Sequence, residues 1–399
     1  MNRAALGGLL LSFVFAATAM AQISDDVVRI GVLTDETGPY ADSAGPGSVA
    51  AARMAAEDFG GTVRGKRIEI VHADTQNKPD VASTVARRWF DSEKVDAVID
   101  LPVTPIALAV QEIAKQKNRT VMITASAASE FTSKFCSPVS THWADDTHAL
   151  AAGTARALVA QGGGTWFFIT VDQTFGLALE RDATEVVKAA GGKVLGAVRH
   201  PIGATDYSSL LLQAQASGAK VVGLASVGGD LVNLLKQANE FGLTRDGTPT
   251  MAGFLIYIQD VHALGLEATQ GLTFTSGFYW DQDDKARAFG RRFLAQQGMM
   301  PSKNHALIYT AVTQYLRAVD AAGTDEAVAV NRVMRDRPFR FFGKDATIRG
   351  DGRVLYEETL WRVKRPQESR EAWDYYAKVR TIPAADAFLA PNREACGGG

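Results

Sequence analysis

Cysteine is almost missing: the 399 residues hold two, Cys136 and Cys396, and the six histidines contain no pair at metal-ligand spacing. A structural zinc framework is therefore excluded, and no metal or other cofactor is expected. No His-x-Glu string occurs, and the nearest approach to a nucleophile elbow, Gly223-Leu224-Ala225-Ser226-Val227-Gly228, has the wrong spacing for Gly-x-Ser-x-Gly. These absences argue against an exported hydrolase. The formal net charge is only −2, which supplies no basic field for nucleic acid and no polybasic patch for anionic lipid. After residue 21 no apolar run approaches the roughly 18 residues that suggest a membrane span.

What is present is ordinary globular material, 46% hydrophobic and 22% charged, in a chain longer than one hydrophobic core usually supports. About two domains are expected. The first residues are different: Arg3, an apolar run Ala4 to Ala19 without acids, then Ala19-Met20-Ala21. That is an export signal with a small-x-small cleavage site, too short to span a bilayer, so residues 1–21 read as a signal peptide removed after Ala21. Export places both cysteines in an oxidising compartment, where a Cys136–Cys396 disulfide is the default reading and two free thiols the alternative. The bridge would close a loop of about 260 residues and contribute several kcal/mol by chain-entropy arguments.

From Val27 short β-branched runs alternate with helical patterns. Residues 27–33, 67–72, 95–99 and 120–124 read as buried parallel strands; 47–59, 80–90 and 105–117 repeat apolar residues at helical spacing between them. The pattern restarts with strands at 165–170, 193–198, 220–225 and 250–253 and helices at 178–190, 208–216 and 230–241, joined to the first half by a helix at 146–159. A strand at 271–276 and helices at 283–297 and 304–322 follow. Residues 347–363 read as strands around Arg349-Gly350-Asp351-Gly352, a hairpin signal rather than an adhesion motif. The tail beyond Pro366 is less patterned. Two α/β units without a linker between them imply several chain crossings.

In such sheets ligands bind at the carboxyl ends of strands, where helix N-termini present unpaired N–H groups. Four loops there carry suitable residues: Thr37-Gly38-Pro39-Tyr40 after the first strand, Pro102-Val103-Thr104-Pro105 with a hydroxyl at the helix cap, Ala125-Ser126-Ala127-Ala128-Ser129, and Asp172-Gln173-Thr174-Phe175-Gly176. Each alone is compatible with plain capping or packing. Together they suit a carboxylate, because helix dipoles favour an anion without a buried cation. Asp74, Asn77 and His72 read as loop and strand architecture.

The strings IGVLTDETGPYADSAGPG, HADTQNKPDVA, MITASAASEFT, TVDQTFGLALE and DYSSLLLQAQASGAKVVGLASVGGD extend over essentially the whole mature chain. It resembles the periplasmic solute-binding proteins of the branched-chain amino acid and amide class, which serve ATP-driven importers. The resemblance implies a type I periplasmic-binding-protein fold: two Rossmann-like lobes with parallel sheets joined by three crossings. Lobe 1 would be 22–143 plus 275–347, and lobe 2 144–274 plus 348–399. It also implies ligand contacts from Tyr40, Thr104, Ser126, Ala127, Ser129, Phe175, Ser226 and Tyr279, the last from the crossing segment Phe278-Tyr279-Trp280. Implied too is a membrane permease partner of the ABC class; the export signal gives a periplasmic location, and a monomer is the default.

One departure bears on the ligand. Amino acid binders of this family neutralise the α-ammonium with a glutamate where this chain has Gly253-Phe254-Leu255-Ile256-Tyr257, and an unpaired buried ammonium costs several kcal/mol. An organic carboxylate with an aromatic or apolar body is expected instead; Tyr40, Phe175, Phe254, Tyr257 and Tyr279 offer stacking faces. FCSPVSTHW with a late tail cysteine resembles the subgroup that includes aromatic-acid binders, while fatty or dicarboxylic acids stay open. The alternatives are an amino acid or amide binder, and a ligand sensor of the same fold that feeds a signalling receptor.

Overall fold

The structure, a computed structural model, describes residues 22–243 and 249–391. The signal segment 1–21, Cys396 and Gly397–Gly399 lie outside the described residues. Among the described residues no cysteine is free.

The first half builds on β1 (Val27–Thr34), followed by α1 (Gly45–Asp58), β2 (Thr62–Val63), β3 (Lys66–Asp74), α2 (Pro79–Asp91), β4 (Ala97–Asp100), α3 (Thr104–Lys117), β5 (Thr120–Ile123) and β6 (Ser140–His142). They form a six-stranded sheet in the order β2-β3-β1-β4-β5-β6, parallel except for the small edge strand β2. The central β1 pairs with β3 over its whole length, Val27 opposite Arg67 through Thr34 opposite Asp74. Helices cover both faces, so β1, β4 and β5 are apolar on both sides. Gly31 in β1 has a packing reason: a Cβ there would lie 2.4 Å from the Trp89 ring of α2.

The second half runs α4 (Thr147–Ala160), β7 (Thr165–Val171), α5 (Thr174–Ala189), β8 (Lys193–His200), α6 (Ser208–Ala216), β9 (Val221–Ala225), α7 (Gly229–Glu240), β10 (Thr250–Gly253), α8 (Ile258–Leu264) and α9 (Leu266–Thr269). Its sheet, β10-β9-β7-β8, is wholly parallel. The stacked rings of Trp166, Phe168 and Phe254 fill its core.

The chain then passes through β11 (Thr273–Ser276) to α10 (Asp284–Gln297), α11 (Lys303–Ala322) and α12 (Ala327–Asp336). Helices α10 and α11 pack on α1, against the first sheet. The antiparallel strands β12 (Phe339–Phe341), β13 (Lys344–Ile348) and β14 (Val354–Tyr356) come next, and β15 (Glu358–Val363) pairs with β11 on one side and with β16 (Tyr376–Ile382) on the other before the short α13 (Ala384–Ala387). Residues 349–352 do form the expected turn, with the Gly352 N–H on the Arg349 carbonyl at 2.8 Å. Asp351 is buried and paired with Arg349 at 2.7 Å, so the Arg-Gly-Asp triplet is spent on the hairpin. The less-patterned tail contains β16, whose exposed centre, Lys378 to Arg380, hides the strand signal.

Three segments carry the chain between the halves: 143–146, 277–283 and 353–357. They are tied together by buried polar side chains. Arg353, fully buried, donates to His142 Nδ1 at 3.0 Å and faces Asp146 at 3.4 Å, stacking on Phe388. Asp145 accepts from Lys303 Nζ at 2.6 Å, from the Tyr356 hydroxyl at 2.7 Å and from the Gly277 N–H at 3.3 Å. Burial pushes the Asp145 carboxyl up, but the charge and hydrogen bond of Lys303 outweigh it and hold the group at about 2.

Candidate functional site

The strand-end loops of the two parallel sheets face each other across a narrow gap with about 30 Å³ of free space. On the first side, the loop after β1 is braced by Asp35, whose carboxylate accepts the N–H groups of Gly38 at 2.8 Å and Tyr40 at 2.9 Å. Thr34 accepts the Gly45 N–H at 2.8 Å. This cage presents the Tyr40 ring to the gap, where its hydroxyl lies 3.5 Å from Gln173 Nε2 on the opposite side.

Six helices begin at the gap, α8 among them through its cap residue Tyr257. The lining includes Ala44 at the cap of α1, Thr104 as the first residue of α3, Gln173 and Phe175 at the start of α5, Val227 just ahead of α7, and Asn304 in the first turn of α11. In α3, α5 and α7 no side chain caps the N-terminus, which leaves first-turn N–H groups available to a ligand; in α1 the Gly45 N–H is taken by Thr34 and Pro46 has none. Thr104 was expected at the cap of α3; the cap is Val103, and Thr104 is one residue inside, so its hydroxyl has no capping duty. Ala125, Ala127, Leu255 and Tyr257 supply small and apolar surface. No Asp, Glu, Lys, Arg or His is among the lining residues. The field in the gap therefore comes from helix ends and hydroxyls, and it favours an anion.

Of the eight residues singled out in the sequence, the structure brings Tyr40, Thr104, Ala127 and Phe175 together at this gap. The other four lie elsewhere, each with its polar group engaged. The Ser126 hydroxyl bonds the Leu101 carbonyl, and its own carbonyl takes a 2.7 Å bond from His142 Nε2. Because Arg353 donates to His142 Nδ1, that imidazole carries its proton on Nε2 and stays neutral, as burial also dictates. Ser129 donates to Asp182 at 3.0 Å and accepts from Arg181 at 3.2 Å. Ser226 donates to His200 Nε2 at 2.7 Å, since His200 Nδ1 faces the Pro201 carbonyl. The Tyr279 hydroxyl donates to the Trp373 carbonyl at 3.1 Å, and its ring packs against Tyr376 and Trp361. Asp74 serves its loop, accepting from Thr37 at 2.7 Å, and His72 pairs with Glu36 at 2.7 Å.

Two residues at the gap went unmarked in the sequence. Asn304 lines it, and its amide donates at 2.9 Å to Asp100, 204 residues away. Asp100 lies behind the lining, fully buried; desolvation pushes its carboxyl up, against hydrogen bonds from Thr34, Ser48 and Asn304. Only the φ of +88° at Asp100, unusual for a non-glycine residue, marks the spot, and no sequence pattern reveals it.

The sequence profile described as periplasmic binding protein matches residues 27–365. The chain belongs to the periplasmic binding protein family. A solved periplasmic binding protein from Burkholderia mallei is 45% identical, with a TM-score of 0.90 over 93% of this chain and 99% of that one. A branched chain amino acid ABC transporter periplasmic ligand-binding protein from Burkholderia xenovorans is 38% identical, with a TM-score of 0.81 over 90% and 96%. A solute binding protein of an ABC transporter from Rhodopseudomonas palustris, solved with 3,4-dihydroxy benzoic acid, shares the fold at 18% identity, with a TM-score of 0.81 over 90% and 98%. In this periplasmic binding protein the gap thus lies between the two lobes of the type I fold. Among the described residues, no helix is long and apolar enough to cross a membrane, and no cluster of three or more His, Cys, Asp or Glu could hold a metal.

Proposed function

We propose that this chain is the extracytoplasmic substrate-binding component of an ABC importer, exported to the periplasm with cleavage after Ala21, and that it holds a small organic carboxylate with an aromatic or apolar body between its lobes. It works by binding and domain closure, without catalysis, and delivers its ligand to an inner-membrane permease. The observation that carries this reading is the composition of the gap: uncapped helix N-termini, the Thr104 hydroxyl and the rings of Tyr40, Phe175 and Tyr257, with no carboxylate, ammonium, guanidinium or imidazole in the lining. The carboxylate would sit at the starts of α3 and α5, the ring between Tyr40 and Phe175. The Rhodopseudomonas palustris protein shows that the fold accommodates an aromatic acid.

The lining also bears on the amino acid alternative suggested by the name of the Burkholderia xenovorans relative. Where the family's glutamate is expected, Leu255 and Tyr257 line the gap, and an α-ammonium would meet no carboxylate at the surface. A thermal-shift screen of aromatic acids, fatty acids, dicarboxylates and amino acids tests the proposal. Aromatic or other apolar acids should raise Tm in proportion to affinity; a shift with leucine alone would overturn the acid reading.

A further inference from the structure

Asn304 is 1% exposed and lines the gap, yet its side-chain oxygen has no hydrogen-bond partner among the described residues. The amide nitrogen is fully committed. It donates to Asp100 Oδ1 at 2.9 Å, with the Ser43 carbonyl at 3.4 Å and the Ser48 hydroxyl at 3.5 Å as further acceptors. Rotating the amide by half a turn would set its oxygen against a carboxylate and a backbone carbonyl, neither of which can donate to it. The chemistry of these neighbours, rather than electron count, therefore fixes which end is which. The nitrogen faces the lobe, and the unsatisfied acceptor belongs to the gap.

A buried carbonyl oxygen without a donor is costly. Ser302 caps α11 through its own hydroxyl and holds the helix start against the Ser43 carbonyl at 2.7 Å, so Asn304 cannot simply swing out to water. Once the lobes close on a ligand and exclude water, the remaining source of a donor is the bound molecule. We infer that Asn304 is a specificity-determining residue whose side-chain oxygen accepts a hydrogen bond from a hydroxyl on the body of the ligand, which makes the preferred substrate class a hydroxylated aromatic acid. An isosteric acid with a methyl group in place of the hydroxyl strands the oxygen and is disfavoured by about tenfold or more.

This rests on the acid-binding reading above. The test is calorimetric titration of the full mature chain with four compounds: 3- and 4-hydroxybenzoate and their 3- and 4-methyl counterparts. At least one hydroxy acid should bind about tenfold more tightly than its methyl isostere, and in Asn304→Leu that ratio should fall to near one. If methyl and hydroxy acids bind the native chain equally, the Asn304 inference is overturned and the acid reading stands. A ratio that persists in Asn304→Leu also overturns it. If none of the four binds, the inference is overturned, and the thermal-shift screen over the other acid classes decides the acid reading separately. The comparison in the native chain needs no variant, so a poorly folding Asn304→Leu does not rescue the proposal.

Discussion

Lys303, at the first turn of α11, reaches 2.6 Å to Asp145 in the first crossing segment, and both side chains are almost wholly buried. Through the Gly277 N–H and the Tyr356 hydroxyl, the same carboxylate also holds the other two crossings. One ion pair therefore links a helix of the first lobe to all three connections.

Lys303→Met should destabilise the protein by about 3–5 kcal/mol, because it leaves Asp145 charged, buried and unpaired. Adding Asp145→Asn should recover part of the loss, as expected for coupled neighbours. Urea denaturation of the two variants measures both effects. Equal losses in the single and double variants would show that the pair contributes nothing as a pair.

Asp260 sets a pH dependence. Burial pushes its carboxyl up to about 7, against the hydrogen bond from the Tyr257 N–H. Between its ordinary value of 3.8 and about 7 the folded chain holds a proton that the unfolded chain releases. Stability contributed by this group is therefore complete below 3.8 and is lost as pH rises to about 7, with a slope of at most about 1.4 kcal/mol per unit. Asp260→Asn should flatten the profile of Tm against pH over that window; an unchanged profile would contradict the assignment.

Gly228, in the second lobe, has φ of +61°, and a Cβ there would lie 2.9 Å from the Pro39 carbonyl and 3.3 Å from the Tyr40 ring in the first. Gly228→Ala should obstruct approach of the lobes and weaken ligand binding by about tenfold, while the left-handed backbone costs only about 1–2 kcal/mol of stability. Affinity and Tm measured on the same preparation separate the two; a variant that loses stability but keeps its affinity would refute the obstruction.

Thr104→Val removes a hydroxyl that caps nothing. Affinity for a carboxylate should fall about ten- to hundredfold, the cost of losing a hydrogen bond to a charged group, with Tm of the ligand-free protein nearly unchanged. Unaltered affinity would move the acid away from the start of α3.

Thiol labelling of the unreduced, unfolded mature protein checks the expected Cys136–Cys396 bridge. No label should be incorporated before reduction and two after it. Two labels at the outset would dismiss the bridge.

The sequence made the alternation of strands and helices readable because both parallel sheets are covered on two faces, so β1, β4, β5, β7 and β9 are nearly continuous apolar runs. Short or half-exposed elements were harder. β16 shows a mostly solvated run, and α12 is capped by Glu326, an uncommon cap residue, whose side chain accepts the Val328 and Ala329 N–H groups. At the site, residues at strand ends, such as Tyr40 and Phe175, were legible from position alone. Ser126 and Ser226 had the right position and chemistry, but the Leu101 carbonyl and His200 take their hydroxyls. Asn304 was invisible for the converse reason: its partner Asp100 is brought near only by the packing of α11 on the first lobe.

A cleft whose attraction comes from helix ends and amide groups loses its hold through geometry alone. When the halves part, the first-turn N–H groups separate and water reaches each of them, so an acid leaves by rehydration with no countercharge to strip away. For the acid and the permease proposed above, unloading then needs only mechanical separation, without a proton or competing salt, and uptake should tolerate wide swings in ionic strength.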